Sequence, residues 1–349
     1  MVHTKSEVSD DEDSPGSRLR IPSIISKISD GEDSPESRLR IPSIIAGIVA
    51  ASILLSYLVH GIGDGLEFAL DFPLNVGPEI ERSLDDAIKW FVVTFGWFFD
   101  AVSHYVKLVL GKLRDFLIWI PWPIVMGLVF ITAWRVATIR IAIMSLIGMV
   151  ILASVNLWEP TMVTVAIMMV SVFISIVIGI PVGISAARNE KVNTAIRPVL
   201  DAMQTMPSFV YLVPGIMLFG LGNVAAILAI VLYSVPPCIR LTNLGIRQVD
   251  PSVVEAGKSF GSSQMQLLFK IQIPMAIPTI MAGVNQTVMM ALAMATIAAM
   301  VGAGGLGIEV LRAMGQLNEG EAIIAGFGIV ILAIIIDRIS QGYIGTSNN

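Results

Sequence analysis

The chain of 349 residues is too apolar for an ordinary soluble domain, because 55% of its residues are hydrophobic and only 14% are charged, whereas soluble domains are about one quarter charged. Apolar runs of roughly 20 residues, the length that crosses a bilayer as a helix, recur along it. The net charge of -5 and the single cysteine, which excludes an intrachain disulfide, say little about function. The composition predicts an integral membrane protein built from helices, since lipid offers no hydrogen-bond partner to free backbone groups.

The first forty residues, 1–40, are polar and rich in Pro, Ser, Asp and Glu, which predicts a disordered cytoplasmic tail. They take part in a tandem repeat, because the sequence of Ser9–Ile25 returns, with two changes, as Ser29–Ile45. A docking or regulatory tail and a local duplication in a tolerant terminus both account for the repeat. A cleavable signal peptide is not expected, because acidic residues come first and the apolar run starts too late.

Residues 41–120 are predicted to contain a first span, an outer loop and an interfacial helix. The span is Ile41–Val59, and the acidic, Gly- and Pro-containing stretch 60–88 is predicted to be the loop. The aromatic-rich stretch that follows favours a helix in the plane of the lipid headgroups, because five charges within one crossing would be costly. Those charges are Asp100, Lys107, Lys112, Arg114 and Asp115.

Further spans are predicted within residues 121–341. They are Trp122–Ala133, Ile141–Leu157, Thr161–Ala187, Met206–Phe219, Val224–Cys238, Pro278–Met300 and Ile323–Ile336. With this arrangement the Lys and Arg clusters of the short loops all fall on one side of the membrane, as the positive-inside rule requires of the cytoplasmic side. The predicted fold is therefore an all-α polytopic membrane protein with about eight membrane-spanning helices, one interfacial amphipathic helix and both termini in the cytoplasm.

A polar passage, residues 250–274, interrupts the apolar segments. Asp250 can cap a helix whose first residue is Pro251, a favoured arrangement. This helix is predicted to run through Phe260 and to stop at Gly261, because glycine readily adopts the left-handed conformation that follows a helix. The passage is predicted to lie at the cytoplasmic surface.

A second short helix is predicted after the bend. Ser263 and Gln266 have the spacing of a capping box, and Pro274 is predicted to end the helix. Its apolar side carries Leu267, Leu268 and Ile271, whereas Gln264, Gln266 and Lys270 are polar. Such an element either lies on lipid headgroups or inserts into a groove on another protein.

The same passage resembles the cytoplasmic loop signature of ABC importer permeases: Glu-Ala-Ala, three residues, Gly, nine residues, Ile-x-Leu-Pro. The matching residues are Glu255, Ala256, Gly261, Ile271 and Pro274. Gly257 stands where the pattern often has Ala, and Ile273 stands where it has Leu. Arg197–Asn223, Ile277–Gly307 and Gly328–Gln341 resemble the glycine betaine/proline branch of that family, so the resemblance covers roughly residues 120–341.

The resemblance implies a transport subunit, not an enzyme, with a transmembrane domain like that of type I ABC importers. Residues 121–341 would be the permease core and 250–274 its coupling loop for a separate ATPase, with Glu255, Ala256, Gly257, Gly261, Ile271 and Pro274 as the coupling residues. The cargo would be glycine betaine or a related osmoprotectant. The implied partners are two ATPase copies, which hold ATP and Mg, an extracytoplasmic substrate-binding protein, a second copy of this chain and membrane lipid. No cofactor in this chain and no nucleic acid are expected.

The apolar stretches agree with an external energy source. Residues 141–157, 160–187, 202–239, 271–308 and 322–336 contain no Asp, Glu, Lys, Arg or His, whereas ion-driven carriers commonly place ionisable residues at the midplane. Some ion sites use only hydroxyl and carbonyl groups, so an ion-coupled secondary carrier or channel stays open. A different cargo (choline, carnitine, proline or ectoine) and a membrane scaffold that transports nothing stay open as well.

Polar residues within the apolar stretches are the candidates for a translocation path. They are Gln204, Thr205, Ser208, Tyr211, Tyr233, Asn285, Gln286 and Thr287. Each could equally form hydrogen bonds between helices. Met203, Met206 and Met300 are candidates for a compliant gate, although methionines also simply fill space in helix interfaces.

Overall fold

The structure, a computed structural model, describes residues 35–61 and 76–346, and side chains within 45–58 and 76–342. All regular elements in these ranges are helical. Contacts divide the chain into two units, residues 1–85 and 86–349. The repeat in the tail and most of the predicted outer loop lie outside the described residues.

Helix α1 (Pro35–Gly61) and helix α2 (Gly77–Thr94) differ from their predicted limits. Proline is favoured in the first turn of a helix, and α1 begins at Pro35, before the predicted start of the span at Ile41. Residues 77–88, predicted as loop, are helical. Pro78 and Glu79 lie in the first turn of α2, where proline fits and a negative charge is favourable.

The other elements follow in chain order. They are α3 (Gly96–Trp119), α4 (Trp122–Val136), α5 (Ile139–Ser154), α6 (Trp158–Arg188), α7 (Glu190–Thr205), a 3-10 turn (Ser208–Tyr211), α8 (Leu212–Phe219), α9 (Asn223–Arg247), α10 (Pro251–Ser259), α11 (Gln264–Leu267), a π turn (Leu268–Gln272), α12 (Ile273–Ile297), a second 3-10 turn (Ala298–Val301), α13 (Leu306–Gly315) and α14 (Glu319–Thr346).

Helix α9 forms the centre of the second unit. It packs against both α6 and α12, and 72% of its most apolar segment is buried, against 22% for α14. The main hydrophobic cluster around it includes Ile167 of α6, Ile230 of α9 and Met294 of α12. The permease-like segments of the sequence therefore surround one shared core.

Small residues at every fourth position allow α6 and α9 to approach closely. Ser175 and Ser234 are hydrogen-bonded through their hydroxyls at 3.0 Å. One helical turn further along, a Cβ added to Gly179 would lie 2.8 Å from Cys238 Cβ. After another turn, a Cβ added to Gly183 would lie 2.6 Å from Thr242 Cβ. This spacing is typical of helix association in membranes, where van der Waals contact replaces the hydrophobic effect.

Four helical segments of the described chain are long and apolar enough to cross a membrane: α6, α9, the continuous helix from Gln264 to Val301, and α14. Two pairs of consecutive helical segments are long and apolar enough only when the two members are counted as one span. They are α3 with α4, bent by 98°, and α7 with Ser208–Phe219, bent by 115°. Ile45–Leu58 and α5 are apolar but shorter. The count of eight crossings stays a prediction that these segments could supply.

The predicted crossing at Met206–Phe219 is not a single straight helix. The structure has the 3-10 turn followed by α8, which has 8 residues and is therefore only about 12 Å long. Pro207 lies at the break, because it has no N–H to continue the ladder of α7. By itself this segment is too short to cross a bilayer of roughly 30 Å.

Helix α3 packs along α6. Its Leu110 is buried, its Tyr105 and Leu113 line a groove together with Phe173 of α6, and its Arg114 lies 3.9 Å from Glu159. The placement of this segment in the headgroup plane stays a prediction.

Candidate functional site

The first half of the 250–274 loop follows the prediction closely. The Asp250 carboxylate accepts a hydrogen bond from Ser252 N–H at 2.8 Å, and this backbone contact holds the pKa of Asp250 below its ordinary value. Pro251 is the first residue of α10. Asp250 thus caps the helix as an anion, which the helix dipole favours.

A Schellman motif ends α10 at Gly261. Gly261, with φ of +76°, donates its N–H to the Lys258 carbonyl at 2.9 Å, and Ser262 N–H donates to the Gly257 carbonyl at 3.1 Å. A Cβ on Gly261 would meet no atom within 4 Å. Only the left-handed backbone therefore restricts this position, and it requires glycine or a residue that tolerates the same conformation.

The second half of the loop begins with the predicted capping box. Gln266 N–H donates to Ser263 Oγ at 3.3 Å, and Gln266 Oε1 accepts from Ser263 N–H at 2.8 Å. Leu267 and Leu268 are buried, whereas Gln264, Gln266 and Lys270 are exposed, as the amphipathic pattern predicts.

The prediction that Pro274 ends this helix is wrong. The chain continues through the π turn into α12, and Pro274 is in the first turn of α12. Within the π turn, Ile273 N–H bonds to the Leu268 carbonyl, five residues back. This wider turn accommodates a residue that has no N–H and whose ring would clash with the carbonyl of a regular α-helix.

The loop has two parts: an exposed bend, hereafter the tip, and a buried part beneath it, hereafter the base. Phe260 is 90% exposed, and Glu255, Ala256 and Lys258 are exposed around it. Gly257, in contrast, is buried, and a Cβ there would lie 2.6 Å from Ile271 Cδ1 and 2.9 Å from Leu267 Cδ1. The structure thus brings Gly257 and Ile271 together in the base and leaves Glu255 and Ala256 free on the surface.

The base of the loop is fixed to the core. Leu268 belongs to a hydrophobic cluster with Ile246 of α9 and Ala276 of α12, against which Ile180 and Ile184 of α6 pack. A force on the loop therefore acts on α6, α9 and α12 together.

A ring of four polar side chains, hereafter the polar ring, lies beside this base and was not expected from the sequence. Arg247 Nη1 is 2.8 Å from Glu190 Oε2, and Arg247 Nε donates to Asn243 Oδ1 at 2.9 Å. Asn243 Nδ2 donates to Asn193 Oδ1 at 2.9 Å, and Asn193 Nδ2 donates to Glu190 Oε1 at 2.9 Å. The signal available in the sequence was the pair of asparagines, one near the start of α7 and one near the end of α9.

The candidate path residues differ in their surroundings. Gln204, Thr205 and Gln286 are exposed and Ser208 is half-buried. Tyr211 is buried, donates its hydroxyl to the Met203 carbonyl and packs edge-on against Tyr233, with ring centroids 5.6 Å apart. Their roles in a path stay predictions.

Two further path candidates carry unpaired polar atoms. Among the described residues, Asn285 Oδ1 and Thr287 Oγ1 are buried without a hydrogen-bond partner. Of the gate candidates, Met203 is half-buried, Met206 is 39% exposed and Met300 is 64% exposed. The described contacts do not bring these three methionines together.

A polar cleft of about 950 Å³ opens at the opposite end of α6. Glu159, Glu309, Arg312 and Glu321 line it, and Arg312 is paired with Glu309 at 2.8 Å. The glycine-rich turn before α13 forms one wall, where Gly305, with φ of +99°, lies so close to Thr164 that a Cβ would meet Oγ1 at 2.3 Å. Within the described part of the chain, no cluster of His, Cys, Asp and Glu could hold a metal ion.

Comparison with known proteins agrees with this architecture. Residues 179–344 match the family model described as the inner membrane component of binding-protein-dependent transport systems. The chain is 45% identical over 262 residues to the glycine betaine/proline betaine transport system permease protein ProW of Escherichia coli, covering 75% of this chain and 74% of that protein.

Two further relatives match the chain over a similar length. The glycine betaine transport system permease protein OpuAB of Bacillus subtilis is 45% identical, covering 74% of this chain and 92% of the relative. The glycine betaine/carnitine transport permease protein GbuB of Listeria monocytogenes is 41% identical, and the match covers 71% of this chain and 90% of that relative. The chain therefore belongs to the family of inner membrane permease components of binding-protein-dependent transport systems.

Proposed function

We propose that this chain is the permease subunit of an ATP-driven importer of glycine betaine or a related small quaternary ammonium compound. Three relatives with 41–45% identity are named for glycine betaine transport, which supports this cargo. A compact cation without strong hydrogen-bond donors is held best by aromatic boxes through cation–π attraction. We assign that high-affinity step to a separate extracytoplasmic binding protein, so that the permease needs only a weakly interacting path.

The exposed tip of the 250–274 loop is the observation that carries the proposal. A phenylalanine that is 90% exposed is unfavourable in water, and its fixed position next to Glu255 and Lys258 forms a compact surface of mixed character. Aromatic side chains of this kind commonly act as anchors in protein interfaces. We therefore propose that the tip inserts into a groove on an ATPase.

Energy supply from outside the chain fits the membrane helices. Apolar stretches of α6, α9, α12 and α14 contain no Asp, Glu, Lys, Arg or His, so they offer no carboxylate for ion coupling. In the proposed assembly, two copies of the chain form the path between them and each binds one ATPase copy. The ATPases hold ATP and Mg, and their closure moves the loops. This arrangement puts the loop and both termini in the cytoplasm.

The path is proposed along the surface that carries the exposed polar candidates Gln204, Thr205 and Gln286, facing the second copy. The 3-10 turn that begins at Ser208 contacts α12, which keeps the two halves of this surface together. Tyr211, Tyr233, Asn285 and Thr287 would support the surface from behind or become accessible when the helices move, with Met203, Met206 and Met300 at its margins.

The test is the substitution Gly261→Val in the full transporter, reconstituted in proteoliposomes with its ATPase and binding protein. Valine at φ of +76° costs about 1–2 kcal/mol of backbone strain, which should distort the tip without affecting membrane insertion. We expect uptake of labelled glycine betaine per ATP hydrolysed to fall about tenfold, equivalent to 1.4 kcal/mol.

Gly261→Asn is the matched control. Asparagine tolerates the left-handed conformation, and open space surrounds the position, so coupling should stay near the wild-type value. Normal coupling in Gly261→Val at normal abundance would contradict the docking role. Uptake driven by an ion gradient in vesicles that lack the ATPase would instead favour a secondary carrier, and uptake of choline, carnitine or ectoine in preference to glycine betaine would change the cargo.

A further inference from the structure

The polar ring joins the ends of three helices at the base of the 250–274 loop. Arg247 is the last residue of α9, shortly before the cap of the loop at Asp250. Its Nη2 donates to the Ala186 carbonyl at 2.9 Å, one of the last carbonyls of α6, which lack partners inside their own helix. Glu190 lies in the first turn of α7. One guanidinium thus connects α6, α7 and α9.

The four side chains of the ring satisfy one another around a buried centre: Glu190 and Arg247 are exposed and Asn243 is half-buried, whereas Asn193 lies inside. Asn193 is completely buried, and its side chain both donates to Glu190 and accepts from Asn243. Such a buried amide would bear the desolvation cost of its polar atoms without compensation if the ring opened. The planar guanidinium makes its three contacts in fixed directions, which a lysine ammonium cannot reproduce.

Helix α7 is attached to α9 a second time, toward its other end. Asp201 of α7 forms an ion pair with Arg240 of α9. One attachment lies near each end of α7, so this helix should move together with α9 as a rigid body. Helix α7 ends at Thr205. The proposed path residues Gln204 and Thr205 are therefore its last two residues, and Ser208 follows shortly after.

We propose that Arg247 is a positioning residue for transport: through the polar ring it transmits displacement of the 250–274 loop to α7, and so to the path. The proposal rests on the proposed function, because it assigns the route by which docking at the loop reaches the path. Arg247 itself contacts neither the ATPase nor the cargo in this assignment.

The experiment is Arg247→Lys in the complete transporter, with ATPase and binding protein, in proteoliposomes. Lysine keeps the positive charge but cannot make the three directed contacts of the guanidinium. The polar ring should therefore open, while the loop tip stays unchanged. We expect glycine betaine imported per ATP hydrolysed to fall about tenfold, within the range of coupling energies between distant sites. Folded yield and the amount of ATPase that copurifies should match the wild type.

Glu190→Gln is the second variant, because it removes the charge with almost no change in shape. If both residues act through one ring, the double variant should be no worse than Arg247→Lys alone. Arg140→Lys, at an exposed arginine at the start of α5, is the control and should couple normally.

Three results would overturn the proposal. They are an unchanged ratio of uptake to hydrolysis in both variants, a loss of uptake that only parallels a loss of folded protein, and additive effects in the double variant. Failure of the proposed function is distinguishable from these, because it would appear in the wild type as uptake that needs no ATPase.

Discussion

In the 250–274 loop the backbone is held by hydrogen bonds between near neighbours, whereas α6 and α9 are held by small residues some sixty positions apart, such as Ser175 and Ser234. In the loop, Gly261 is surrounded by open space and is constrained by its own φ. In the helix pair, Gly183 is constrained by the Ile239 carbonyl and the Thr242 side chain against it. Glycine thus serves backbone shape in one region and close packing in the other.

This difference separates two kinds of failure. A change at the loop tip should leave the membrane helices intact and affect only what docks there. A change between α6 and α9 should prevent the core from forming, because the helices cannot separate without losing contact along their length.

The largest effect is expected for Gly183→Val. The new Cβ would lie 2.8 Å from the Ile239 carbonyl oxygen, a backbone atom that cannot move aside alone. Overpacking of this kind costs about 3 kcal/mol, and the variant should lose most of its folded yield in detergent and unfold at lower temperature. Gly127→Val, where a Cβ meets nothing within 4 Å, is the control with the same change in helix propensity. Equal stability of the two variants would remove the distinction between the regions.

Phe260→Ala should have the next largest effect, on binding alone. Removing an exposed interface anchor costs about 2 kcal/mol, or about thirtyfold in affinity. When the purified complex is diluted, the ATPase should therefore dissociate from the variant permease at a higher protein concentration than from the wild type. Folded yield and thermal stability should stay unchanged, because Phe260 is 90% exposed. Leu317→Ala, at a residue that is 89% exposed in the turn before α14, should leave ATPase binding unaffected. Undiminished binding by Phe260→Ala would mean that the tip is not the anchor.

The smallest effect is expected for Gln286→Ala on the proposed path. Loss of one hydrogen bond of about 0.7 kcal/mol to a passing solute or its water should lower the maximum uptake rate about threefold. ATPase binding and thermal stability should not change, since Gln286 is exposed on α12, away from the loop. Gln316→Ala, at an exposed glutamine just after α13, is the control. If both variants transport alike, Gln286 does not line the path.

The loop is predictable from the sequence because its information is local. Asp250, Gly261 and Ser263 each act within three residues of their own position, so capping rules are sufficient to derive the two helices and the bend. The prediction for Pro274 is wrong because proline usually interrupts a helix, and the preceding π turn, which accommodates it, has no simple sequence signal.

The polar ring and the bend at Pro207 required the structure. Asn193 and Asn243 are far apart in sequence, and their contact depends on the way α7 folds back along α9. An apolar run such as Met206–Phe219 indicates that a segment is buried in lipid or protein, but it does not indicate whether the segment crosses in one helix. In the proposed assembly, a second copy of the chain also surrounds the path residues.

The π turn at Leu268–Gln272 determines the direction in which the tip points. Each residue of an α-helix turns the chain by about 100°, so one residue more or fewer between Gly261 and α12 would rotate the tip around the axis of α12 by roughly that angle, while every hydrogen bond of the tip stayed intact. The direction of Phe260 relative to α12 is therefore specified by the number of residues in this segment as much as by their types. An insertion or deletion at this turn would present the same surface in the wrong direction.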